Sequence, residues 1–190
     1  MIRKDERQSL VDEIVRSLVA AFRLVRLQED GLTHLNLSID GFWRSFLAAV
    51  IVLPGAAFVF HVQSLQSGDP AEAGRLGMAG IVFAITWLKF PLLSLVFVRC
   101  FGLTDRYVPL VVASNWVAVC IMAIFVAVVL LSTILPMMIG QTLLLMTFVG
   151  ALYVQWFVLN VTLRAAAVTV LGLFVLDILA DELIHRLIMG

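Results

Sequence analysis

Lys89 lies near the middle of an apolar run, 76–98, that holds no other charge. A run of that length reads as a transmembrane helix. A charge at the centre of one costs at least about 2.5–3.5 kcal/mol on insertion scales. An ammonium there needs a carboxylate, a water-filled cavity or loss of its proton. Asp177 is the carboxylate that another candidate span supplies. Lys89 is ten residues from Arg99 at one membrane face, about 15 Å at 1.5 Å per residue, and Asp177 is thirteen from Arg164, about 20 Å. That gap of about 5 Å is within a lysine stem's reach, so the two are expected to pair across the second and fifth helices. Snorkelling to an interface, or bonding to carbonyls that Pro91 frees, would also accommodate the ammonium. Such a charge serves structure, a substrate or ion path, or contact with another subunit or cofactor.

Asn115 beside Trp116 and Gln155 beside Trp156 put amides inside two further spans. Amides there usually bond across helices, for about 0.6 kcal/mol on average. Small residues four apart, Gly80 with Ala84 and Ser114 with Ala118, permit close helix approach. Asp177, Asp181 and His185 recur at i, i+4 and i+8, a face that fits a proton relay or a solvated surface. Glu182 and His185 match the Glu-x-x-His spacing of di-metal bundles, but such sites need a second motif and two more inward glutamates. No span supplies them. Nor is there a nucleophile–base pair, phosphate loop, zinc spacing or nucleotide fingerprint. No catalytic residue, metal ligand or cofactor is therefore assigned, and an enzyme is not expected. Cys100 and Cys120 lack CxxC spacing and read as small buried hydrophobes.

Holding these groups in place takes an all-α, polytopic membrane bundle. Of the 190 residues, 62% are apolar and 14% charged, with mean hydropathy +1.07. Soluble domains have about 45–50% and about 25%. Net charge is zero, so no basic field favours nucleic acid as a partner. Five spans are predicted: 42–60, capped by Ser38 or Asp40 and kinked at Pro54-Gly55; 76–98; 108–131, with Pro136 marking its end; 142–159; and 165–179. Asp69-Pro70-Ala71-Glu72 reads as the start of the second helix. A single helix over 142–179 would be about 57 Å long, so a turn is expected over 160–164, with Thr162 as cap. The alternative is four spans and an interfacial C-terminal helix. Residues 1–40 form a cytoplasmic amphipathic helix and linker, and 41–190 the bundle.

In that first segment Val11, Ile14, Val15, Leu18, Phe22 and Val25 make one apolar stripe, and Ser9 with Asp12 resembles a capping box. Arg16, Arg23 and Arg26 can meet anionic headgroups if the stripe enters the acyl boundary. The helix could equally pack on its own bundle or dock to a partner. Residues 31–38 read as its linker.

Basic residues orient the bundle. Arg3, Lys4, Arg7, Arg16, Arg23, Arg26, Arg44, Arg99, Arg106 and Arg164 share one side, ten against Arg75 and Arg186 on the other. That places the N-terminus in the cytoplasm. A cleavable signal is not expected, because the first dozen residues are charged and no short apolar core with a cleavage site comes after them. Arginine outnumbers lysine 11 to 2, a bias of GC-rich bacterial genomes, so a bacterial inner membrane is expected.

The stretch Cys100-Phe101-Gly102-Leu103-Thr104-Asp105-Arg106-Tyr107-Val108-Pro109-Leu110, leading into Ala113-Ser114-Asn115-Trp116, resembles the glycine-containing turn and polar-aromatic third span of the Yip-type (Rab-interacting) family and its bacterial relatives. The likeness covers roughly 76–179 and is mainly one of topology. It implies a membrane-organising or trafficking adaptor without catalytic residues. Read from the residues alone, the chain is expected to be a non-catalytic scaffold or accessory subunit that binds other membrane proteins or copies of itself in the lipid bilayer. Phe97, Phe101, Phe125, Phe148, Trp156 and Phe157 furnish its apolar faces. The alternative is a small transporter or channel component using Lys89 and Asp177. For the orientation, a cysteine placed beside Met1 should react with a membrane-impermeant maleimide only after permeabilisation. Labelling in intact cells would reverse the topology.

Overall fold

The computed structural model describes residues 4–66 and 73–189, which are helical apart from short turns. The helices are α1 (Lys4–Val25), α2 (Ile39–Ser45), α3 (Leu47–Gln66), α4 (Ala73–Cys100), α5 (Tyr107–Ser132), α6 (Met137–Leu163) and α7 (Ala167–Met189), with 3₁₀ turns at Glu29–His34 and Thr104–Arg106. Four stretches are long and apolar enough to cross a bilayer: Ile39–Leu65 (α2 with α3), Gly77–Cys100, Thr104–Ser132 and Met137–Leu163. The chain is thus a multi-pass helical protein of the membrane class. The fifth predicted span, now α7, is not among the four. The Asp69–Glu72 helix start lies outside the described residues.

Chemistry at the helix ends sets the boundaries. Ser38 caps α2, its Oγ accepting from the Gly41 N–H at 3.1 Å. α4 ends in a Schellman turn, with Gly102 at φ +69° and the Leu103 N–H donating to Val98 O at 2.7 Å. α1 ends the same way on a leucine: Leu27 sits at φ 61° while the Gln28 N–H reaches Arg23 O at 2.9 Å. Arg164, at φ 47°, closes α6. Here the expected turn is displaced. α6 continues through Asn160 to Leu163, and Thr162 Oγ1 bonds back to Val158 O at 2.6 Å instead of capping α7. Pro136 likewise precedes the first turn of α6 and does not end α5, whose last residue is Ser132. Ser9 lies inside α1, which is already helical at Lys4, so it cannot be the capping residue.

From α3 to α7 the helix directions alternate. Ser45 meets Asn115, and Gly55 meets Met122, so α2–α3 runs parallel to α5. Ser132 lies against Gly140, making α5 and α6 an antiparallel hairpin. Trp156 stacks edge-on against Phe174 while Leu163 and Val170 share one core cluster, so α7 runs back along α6. Phe97 touches Gly172 while Lys89 meets Asp177, so α7 also runs antiparallel to α4. The predicted small-residue contact is not seen at Gly80, where no described atom lies within 4 Å of an added Cβ. Close approach occurs at Gly55 instead, where an added Cβ would sit 2.9 Å from Met122 Cγ.

α1 packs on the bundle through a face that mixes small and bulky residues. Ser17, Ala20, Ala21 and Leu24 are buried against α5 and α6, in a core shared with Val112, Trp116 and Val158. Of the predicted stripe, Ile14, Leu18 and Val25 pack half-buried against this core, while Val11, Val15 and Phe22 stay more than half exposed. Small residues let helix backbones approach closely, whereas apolar bulk loses nothing by facing lipid. Gly31 completes the seam: a Cβ there would fall 2.6 Å from the Ala20 carbonyl oxygen. Gly31→Ala should therefore cost about 1–3 kcal/mol and lower the melting temperature in detergent. Gly150→Ala, where nothing lies within 4 Å, should change stability by less than about 0.5 kcal/mol.

Candidate functional site

α4 and α7 place an ionic cluster in the interior of the helix bundle. The Lys89 ammonium lies 2.7 Å from Asp177 Oδ1 and 2.7 Å from Asp181 Oδ1, and it donates to the Asp177 carbonyl at 3.1 Å. The carbonyl contact is a hydrogen bond, whereas the Asp177 carboxylate contact is an ion pair, its Oδ1 being buried without a hydrogen-bond partner among the described residues. The lysine side chain is 9% exposed, Asp177 16% and Asp181 49%, so the cluster is closed on the α4 side and opens at Asp181. Snorkelling and the Pro91-freed carbonyls are not what receives the ammonium. The Pro91 carbonyl itself accepts from Tyr107 OH at 3.2 Å and Ser94 Oγ at 3.1 Å.

Asp181 is the partner that the sequence pattern left on a solvated face. Its signal was present: a carboxylate at i+4 from Asp177 shares that residue's helical face. Glu182 turns away and pairs with Arg186 at 2.6 Å. The His185 side chain lies outside the described residues. Among the described residues, no group of three His, Cys, Asp or Glu side chains could hold a metal ion.

The two amides behave differently. Asn115 donates through Nδ2 to Ser45 Oγ at 2.9 Å, a buried bond that ties α5 to α2. Gln155 makes no side-chain hydrogen bond among the described residues. It lines a polar cleft of about 220 Å³ together with Lys89, Asp177, Asp181, Ser114 and Asn115. That cleft shares Thr86, Trp87, Ser114, Ala118 and Gln155 with an apolar cavity of about 500 Å³ between α3, α4, α5 and α6.

A second polar assembly joins α1 to α2. Glu13, buried in α1, pairs with Arg44 and accepts from Asn36 Nδ2 at 2.8 Å. Asn36 Oδ1 in turn accepts from Ser38 Oγ at 2.7 Å. Sequence reasoning passed over Glu13, because a charge on a helix otherwise facing water or headgroups gives no sign of burial. Of the three basic residues assigned to the membrane surface, Arg23 pairs with Asp30 at 2.6 Å and contacts His34 at 3.2 Å. Arg26 lies over the Phe22 ring, and Arg16 is exposed. The expectation for Cys100 is overturned: it is exposed beside Phe101 on an apolar groove of α4 and α7, whereas Cys120 is partly covered by α1.

Compared with known protein families, curated proteins and solved structures, the chain matches none. The ionic cluster makes its own prediction. Lys89→Met leaves two carboxylates facing an apolar helix and should cost about 3–5 kcal/mol, read as unfolding in mixed micelles. Adding Asp177→Leu and Asp181→Asn should restore most of that loss. A triple variant no more stable than Lys89→Met would show that the carboxylates are not what the lysine compensates.

Proposed function

We propose that the chain is a five-span, N-terminus-inside integral membrane protein acting as a non-catalytic scaffold or accessory subunit. The single observation that carries this reading is the fate of the Lys89 ammonium: it pairs with two carboxylates of α7 and donates to the Asp177 carbonyl, so its charge joins helices of this chain. α7 enters as the fifth span because it runs antiparallel to α4 and α6 and is 23 residues long, about 34 Å and enough for a hydrocarbon core of about 30 Å. The arginine asymmetry supports a bacterial inner-membrane location with the first helix at the cytoplasmic face. Phe148 and Phe101 project from the bundle, as do Met146 and Val149 of α6. They give membrane partners or further copies an apolar surface, while Phe97 is spent on the bundle's own core. The sequence likeness over 100–110 and 113–116 extends the same proposal to a Yip-type adaptor role.

A second reading rests on the polar cleft beside the cluster, where half-exposed Asp181 meets open space. A carboxylate pair sharing one ammonium inside a bundle is chemistry suited to moving a proton or small cation. Mild-detergent purification from the native membrane separates the two. The accessory role predicts co-purification in a fixed-stoichiometry complex. Reconstituted protein that dissipates a pH gradient, and loses this in Asp181→Asn with the fold intact, would replace it with transport.

A further inference from the structure

The cleft and the apolar cavity are one crevice with two ends of different chemistry. Val52, Ala56, Phe60, Phe83, Met122 and Phe125 line the apolar end. An adjoining space of about 320 Å³ shares Ala56, Phe60, Phe83 and Thr86 and extends it between α3 and α4. At the junction with the polar end sit two buried atoms without a hydrogen-bond partner among the described residues, Trp87 Nε1 and Ser114 Oγ. Ser114 is only 8% exposed, and both residues line both cavities. Buried polar groups are nearly always paired, and in a bilayer no water stands in for the missing partner. Gln155, also without a hydrogen-bond partner among the described residues, lines the same junction.

We infer that this crevice binds a membrane amphiphile with a neutral, carbonyl-bearing head and an aliphatic tail. The indole N–H only donates, so the head must carry an acceptor. Ser114 can donate as well, and a carbonyl oxygen has two lone pairs to receive it and the indole, while Gln155 can donate to a second oxygen of the head. An anionic head is disfavoured, because the neighbouring cluster holds two carboxylates for one ammonium and that ammonium is already engaged. A cationic head brings no acceptor for Trp87. The tail lies in a space of about 500 Å³, within the range of about 300–1,000 Å³ typical of ligand sites. The inference is independent of the accessory role and requires only that the bundle sit in lipid.

The test holds the tail constant and varies the head. The full chain in nanodiscs of ether-linked phosphatidylcholine, which offers no ester carbonyl, is titrated with monoolein, oleate, oleylamine and octadecene. Monoolein should bind saturably at one per chain and at least about 10-fold tighter than the other three, a difference of about 1.4 kcal/mol. Ser114→Ala and Gln155→Leu should each weaken monoolein about 5-fold and leave octadecene unchanged. Ala56→Phe, which fills the tail space, should abolish binding while the helical signal and melting temperature hold. Equal binding of octadecene, preference for oleate, or no saturable binding to the wild type overturns the inference, whatever the variants do. Repeating the titration in ester-linked nanodiscs identifies the source. Competition there means that a bilayer lipid's own ester occupies the site, and undiminished binding means that a free amphiphile does; either outcome supports the carbonyl-head assignment.

Discussion

A hydrocarbon core offers no water to a polar group, so each donor and acceptor within it must find a partner in protein. Lys89 concentrates that requirement in one atom. Its ammonium draws two carboxylates and a carbonyl from α7. α7 carries more charge than α3, α4, α5 or α6 and is not among the four stretches that qualify as spans on length and composition. The same charges that make it look least like a membrane helix bind it to α4. Neither helix suits lipid alone along this face, and together they neutralise much of each other's cost.

The first helix obeys a related logic with different materials. Its buried seam is built from Ser17, Ala20, Ala21 and the glycine-lined turn at Gly31, with Glu13 satisfied by Arg44 and Asn36. Water would drive the bulky stripe of Val11, Val15 and Phe22 inward. Lipid removes that drive, because aliphatic tails are as apolar as the side chains. What remains is backbone proximity and polar pairing, which set the rotation that buries Ala20, Ala21 and Leu24 and turns only part of the stripe outward. The outward stripe is then a lipid or partner surface, with Arg16 and Arg26 beside it.

Between these two anchored helices the bundle is incompletely filled. α3 and α5 close tightly at Gly55, while Gly80 of α4 lines an open space against α3, with no described atom within 4 Å of a Cβ added there. The space left runs from apolar walls to the Trp87–Ser114–Gln155 junction and the ionic cluster. Accessory, transport and ligand-binding readings all draw on this gradient. They differ in what fills the opening: nothing beyond lipid, a mobile proton or cation, or an amphiphile.

Hydropathy and helix length alone determined that the chain is helical and belongs in a membrane. The bounds of α4 and α5 came out to within a few residues, because a run of apolar side chains is a local property. Depth arithmetic also put Lys89 and Asp177 at comparable heights, since rise per residue converts sequence distance directly into position along the helix. Height is not azimuth, however. Only the tertiary structure decided that α7 turns Asp177 and Asp181 together toward Lys89, that Asn115 finds Ser45 while Gln155 finds no hydrogen-bond partner among the described residues, and that α1 buries Ala20, Ala21 and Leu24 while Val11 and Val15 stay outside. Those outcomes depend on which helix stands beside which and how each is rotated. Rotation is set by close backbone approach and polar pairing between segments far apart in the chain, a choice that a hydrophobic pattern cannot encode when the solvent is itself hydrophobic.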